Sequence, residues 1–211
     1  MTKLCLAMLT LLLAASLQAS VIDLDWQQLR PEHQVQPVPL PPLTGDQKRQ
    51  LQRLLQLKSS TTPSSQAAAA SLEADMASKG IDTEYLLALR EKYIEQQELA
   101  ASTLTHQFDG KQVRMPGYLI PLEYASEAMI VTEFLLVPYA GACIHMPPPP
   151  ANQIVLVSFP EGYKLKNTKY PVWVEGTLTS KLSTEHLYIV DGNRDLTLGY
   201  RMTASLVADY N

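Results

Sequence analysis

The sequence predicts a mainly β protein, an OB-like five-stranded barrel preceded by an N-terminal helical extension. Three observations lead there. Five candidate strands crowd into the C-terminal half of the chain, and the first and fourth of them are long and interrupted by Gly117 and Gly176. The segment before them carries apolar residues at helical rather than alternating spacing. A glycine inside a long strand lets it bend sharply at a barrel corner. Strand count and glycine position do not fix topology, so a sandwich stays open.

The chain opens with Lys3 and an apolar run from Leu4 to Leu17, followed by the small residues Ala19 and Ser20. This is the pattern of a cleavable secretory signal over residues 1–19, and it predicts a periplasmic mature protein. The run is shorter than the roughly 20 residues that cross a bilayer, and no second apolar run of that length follows. No transmembrane anchor is expected after cleavage. Cys5 lies inside the apolar run rather than just after the cleavage zone, so no lipid anchor is expected either.

Residues 20–45 form a Pro-rich arm with Trp26 as its aromatic anchor, then Pro31, Pro37, Pro39, Pro41 and Pro42. Such a segment stays extended. Residues 46–104 form the helical segment. Thr44 and Gln47 resemble a capping box, and Leu51, Leu54, Leu55 and Leu57 predict a helix over 46–58. The Ala-rich stretch 66–79, closed by Gly80, predicts a second. Asp82 caps a third that runs through about Ser102, with Leu86, Leu89, Tyr93, Gln97 and Ala100 along one face. A brace for the β domain is the favoured role of this segment, and a docking hairpin for a partner is the rival.

The β domain is expected over residues 105–211, opened by the Asp109-Gly110 turn. Its candidate strands are 111–123, 131–137, 153–159, 171–179 and 199–209. Ser183 to Asp195 reads as an irregular connection or a short helix. A fragment starting near Thr105 is expected to fold alone.

Charge and cysteine usage narrow the functions. The whole chain carries 17 basic and 21 acidic residues; removal of Lys3 with the signal takes the net charge from −4 to −5. No long basic run occurs, so nucleic acid is an unexpected partner. Of the 2 cysteines, only Cys143 survives processing. It cannot form an internal disulfide, so it must be buried, bound to something, reactive, or paired with another chain.

Cys143 sits in the densest chemical signal of the sequence, Ala142-Cys143-Ile144-His145-Met146, followed by Pro147 to Pro150. In an extended backbone Cys143 and His145 point to the same side, so thiolate and imidazole can face one ion. Zn²⁺ and Cu⁺ both accept that pair, and further ligands would come from His106, His186, Glu123, Glu133 or a partner protein. His33, in the arm, is a poorer candidate. A buried, inert thiol beside an ordinary loop histidine competes equally with metal or ligand binding. Thiol redox or nucleophilic chemistry is the least favoured, because no second cysteine can resolve an oxidised thiol. Trp173, Tyr118 and Tyr139 could line a groove, but aromatic residues in alternating strands usually pack. No catalytic residue is assigned.

Several runs together carry a family resemblance: Gly117-Tyr118-Leu119-Ile120-Pro121-Leu122-Glu123, Glu133 to Tyr139, Gly141 to His145, Pro147 to Pro150, and Asn152-Gln153-Ile154. With Asp25-Trp26 and Leu29-Arg30-Pro31, they resemble the bacterial domain of unknown function family 3299 over about Phe108 to Asp209. The resemblance implies an exported protein without an established enzymatic activity. It also implies a partner, an FtsX-like ABC transporter complex or another envelope protein. The helical stretch looks like an expansion relative to a compact member. The reading that follows is a non-enzymatic periplasmic binding or accessory protein with Cys143 and His145 as metal ligands for Zn or Cu. A thiol-dependent enzyme using Cys143 and a purely structural envelope adaptor are the alternatives.

Overall fold

The structure, a computed structural model, describes residues 20–31, 38–39, 41–125, 129–142, 148–189 and 192–210. Three helices precede the main sheet. In α1 (Gly45–Lys58), Thr44 and Gln47 form a reciprocal capping box that satisfies two orphan N–H groups. In α2 (Pro63–Ser78) the Thr62 side chain caps the N-terminus and Pro63 occupies the first turn, where its missing N–H costs nothing. In α3 (Thr83–Ser102) the Asp82 side chain accepts from the N–H of Tyr85.

Leu54, Leu57 and Ala69 give α1 and α2 a small core of their own, with Leu72 and Leu87 at its margin. Lys58 and Glu73 pair across it at 2.6 Å. Along α3 only Thr83 is fully buried, and the face of Leu86, Leu89 and Tyr93 is half-buried.

The rest of the molecule is one six-stranded mixed sheet: β1 (Ile22–Asp23), β2 (Gln112–Ala125), β3 (Ile130–Val137), β4 (Val155–Lys164), β5 (Val172–Ile189) and β6 (Gly192–Asp209). Strand order is β1-β2-β3-β4-β6-β5, and β2 also pairs with β5, which closes β2 to β6 into a ring. The β4–β6 pairing is parallel, while the other pairings in the ring are antiparallel. β1 adds in parallel to β2, Ile22 opposite Val113. Alternation sorts the side chains. Val113, Met115, Phe134, Leu136, Val155, Val157, Val174, Tyr200 and Met202 turn to the main core.

Ser183 to Asp195 corrects the sequence expectation. Neither a helix nor an irregular connection forms there, because Ser183–Ile189 pairs with Gly192–Leu198 and extends the β5–β6 hairpin beyond the ring. Its far end folds back on the opposite face of β2, β3 and β4. Ile189, Leu196 and Leu198 are buried there with Ile120, Leu135, Val137 and Leu156 in a second core.

The two strand glycines are explained by close approach. A Cβ on Gly117 would lie 2.7 Å from Leu136 Cγ and 3.0 Å from Trp26 Cζ2, and one on Gly176 would lie 2.4 Å from the Thr203 carbonyl oxygen. Among the described residues no helix is long and apolar enough to cross a membrane.

Candidate functional site

Cys143 and His145, the expected metal ligands, lie outside the described residues, as does His33. What the structure does define is the frame on both sides of residues 143–147. Ala142, the residue before Cys143, is fully buried in the second core between the β2–β4 face and the hairpin end. Ala140 and Gly141 line a cleft of about 300 Å³ with Tyr118, Ile120, Thr168 and Lys169. Gly141 has φ 76°, a left-handed turn that glycine makes without strain.

On the far side, Pro149 is buried and leads into the short 3₁₀ turn Ala151–Gln153. Two buried amides pin this turn. Asn152 Nδ2 donates to the carbonyls of Ala100 (2.7 Å) and Thr103 (3.0 Å), which ties on the end of α3. Gln153 Nε2 donates to the Trp26 carbonyl at 2.9 Å, which ties on the N-terminal arm. Trp26 in turn donates from Nε1 to the Pro116 carbonyl at 2.7 Å.

The residues offered as further ligands are placed as follows. His106 Nδ1 lies 2.6 Å from Ser180 Oγ and 3.2 Å from Asp109 Oδ2, and Ser180 Oγ donates to Asp109 Oδ2 at 2.7 Å. Serine, histidine and aspartate are together, but not as a catalytic relay. A relay needs the serine on one ring nitrogen and the acid on the other. Here both meet the same nitrogen, and the serine proton is already donated to the acid. The group is a clamp that fixes the turn before β2 to β5, reinforced by the Ser180 N–H on Asp109 Oδ1 at 2.6 Å. Burial works to raise the Asp109 pKa, but the bonds from Ser180 and His106 outweigh it and hold the carboxyl below its usual value. His186, exposed on the hairpin, pairs with Asp195 at 2.8 Å. Among the described residues no three His, Cys, Asp or Glu side chains converge as a metal site.

Glu123 and Glu133 are brought together, as directly opposed partners on β2 and β3. The ladders on both sides of them are irregular, with register shifts at Glu123 and between Val131 and Glu133. Burial raises the Glu133 pKa, the charges of Glu123 and Glu185 push the same way, and Arg201 opposes them. Arg201 is ion-paired to Glu185. Glu133 and Arg201 line a second cleft, of about 200 Å³, with Leu156, Ser158, Thr177, Thr179, Met202 and Thr203. Sequence reading placed the two glutamates on adjacent strands as possible carboxylate ligands and missed Arg201 and the hydroxyls. The pairing register that joins them is not local in sequence.

The aromatic candidates divide. Trp173 packs, stacked on Tyr210 at 5.0 Å between centroids and covered by Arg114 at 4.3 Å. Tyr118 lines the cleft beside Gly141. Tyr139 is exposed at the head of the loop.

The class defined by these features is a β-ring protein with three helices, whose N-terminal arm and α3 end are both tied to the turn 151–153 that follows the Cys-x-His sequence. The chain belongs to the family described as "Protein of unknown function (DUF3299)", whose profile matches residues 26–209. The match runs through the helical stretch, so that stretch lies inside the family region, which extends beyond the Phe108 to Asp209 span of the sequence resemblance. A crystal structure of a DUF3299 family protein from Pseudomonas aeruginosa PAO1 is similar at 30% identity and a TM-score of 0.51, covering 91% of this chain and 97% of that one. No curated protein matches.

Proposed function

We propose that the chain is a non-enzymatic periplasmic binding or accessory protein that holds Zn²⁺ or Cu⁺ through Cys143 and His145 and assists an envelope transport partner, an FtsX-like ABC transporter complex or another envelope protein. The observation that carries this reading is the frame of the loop. It leaves a fully buried Ala142 beside a cleft and returns to a turn held by Asn152 and Gln153. A ligand pair works when its support is held in place, and the bonds of Asn152 and Gln153 to Ala100, Thr103 and Trp26 favour such a support on one side. The five-stranded ring is read as an OB-like barrel. Its strand order, the parallel β4–β6 pair and the close approaches at Gly117 and Gly176 support that assignment.

Calorimetric titration of the mature protein with Zn²⁺, and with Cu⁺ under reducing conditions, tests the metal. Uptake should release a proton from Cys143, because the thiolate is the ligand. Cys143→Ser and His145→Ala should each weaken uptake, and the double variant should be little worse than either. Melting curves must show that all variants fold, since serine in place of a buried cysteine can destabilise a core. Wild-type affinity in both folded single variants would overturn metal binding and favour the adaptor. Intact mass of the periplasmic species tests export, which should remove about the first 19 residues.

A further inference from the structure

A single row of paired residues crosses the ring on its outer side. Thr177 on β5 pairs with Thr203 on β6, Thr203 with Ser158 on β4, and Ser158 with Glu133 on β3. All four line the polar cleft, together with Arg201. Thr203 and Ser158 are exposed, and Thr177 and Glu133 half-buried. Neighbouring strands lie about 4.8 Å apart, so the row presents one hydroxyl or carboxylate at each such step. That repeat is close to the length of one pyranose unit.

From this row we infer that the cleft binds a neutral linear oligosaccharide lying across the strands β5, β6, β4 and β3. Hydroxyls both donate and accept, as sugar hydroxyls do, so Thr203 and Ser158 can meet a sugar hydroxyl in either sense, Thr177, which already accepts from Gln112 Nε2 at 3.0 Å, keeps its proton to donate, and ionised Glu133 accepts. Glu133 and Arg201 at one end supply a two-pronged acceptor and a forked donor for vicinal diols. Charge selects the class. The charges of Glu123 and Glu185 act on Glu133, and Arg201, the one cation in the cleft's lining among the described residues, is already paired to Glu185, which opposes an anionic polymer such as a nucleic acid or a uronate chain.

The test is calorimetric titration of the mature protein, without added metal, with maltotetraose, cellotetraose and N-acetylated chitotetraose, and with tetragalacturonate as the anionic control. At least one neutral probe should bind saturably and the uronate should not. Thr203→Val and Ser158→Ala each remove a hydroxyl while keeping a side chain compatible with a strand, and each should weaken binding about tenfold, the equivalent of about 1.4 kcal/mol. Melting curves identify any variant that fails to fold, and the other then carries the test. No saturation by any neutral probe, unchanged affinity in the folded variants, or equal binding of the uronate would overturn the inference. The experiment leaves residues 143–147 untouched, so its failure is separate from failure of the metal reading.

Discussion

Tyr200 donates its phenolic hydrogen to the carbonyl of Leu29, 2.8 Å away across 171 positions of sequence. The same oxygen accepts the N–H of Thr105 at 2.9 Å. One fully buried hydroxyl on β6 therefore fastens both the N-terminal arm and the link from α3 into the sheet. Its burial pushes the Tyr200 pKa up to about 12.

Tyr200→Phe should remove both bonds and leave the buried Leu29 carbonyl and the half-buried Thr105 N–H without this partner. A loss of about 1–3 kcal/mol is expected, read from the shift of the denaturant midpoint. An unchanged midpoint would show that other groups satisfy Leu29 and Thr105.

Gly176→Ala should cost more than an exposed strand substitution, because its Cβ would meet the backbone oxygen of Thr203 at 2.4 Å and the Ala204 Cα at 2.7 Å. Backbone cannot rotate aside as a side chain can. We expect about 1–3 kcal/mol, the range of overpacking in a full core. Gly80→Ala meets no atom within 4 Å but must hold φ 76°, so it reports conformational strain alone.

The arm is expected to be needed for full stability. Leu24 and Leu29 belong to the main core with Phe134 and Tyr200. A fragment from Thr105 to Asn211 should melt below the mature chain, and a fragment from Val21 with the helices replaced by a flexible linker should regain part of the difference. Equal melting of the two fragments would show that the arm packs without stabilising.

Two carboxyls should give opposite pH signatures. Asp109, held low by Ser180 and His106, contributes stability above the unfolded aspartate pKa of about 3.9, lost as pH falls through its folded value. Glu133, held high by burial and by Glu123 and Glu185, does the reverse, and stability falls as pH rises from about 4.3 through its folded value. Asp109→Asn should flatten the acid limb of the stability curve. Glu133→Gln should abolish the fall above it and stabilise the protein at neutral pH. Parallel curves for wild type and Glu133→Gln would remove the case for a strained glutamate pair.

Local signals carried much of the fold. Caps at Thr44 and Asp82 and the spacing of Leu54 and Leu57 located α1 and α3 closely, because caps and periodicity are written within a few residues. The five long strands were found at their cores for the same reason. The hairpin extension was missed although Asp191-Gly192 between alternating segments is a strong turn signal; the many Ser, Thr and charged residues of 183–195 masked the period. β1 is only two residues long and gains its identity from β2, so nothing local announces it. At the sites, Asn152 and Gln153 stood out as part of a recognisable run, yet their work as ties to α3 and Trp26 depends on partners 49 to 127 positions away.

The tie between the arm and β6 also orders events in time. Leu24 and Leu29 precede in the chain the long strands that bury them, and Tyr200, which bonds the Leu29 carbonyl, lies on the last strand. A folding chain carries two uncovered leucines until the final strand is in place. Local helices can close early, but the main core is finished only when β6 joins it, so its closure rests on contacts between distant parts of the sequence. Truncation from the C-terminal side should therefore unmask the arm as well as remove a strand.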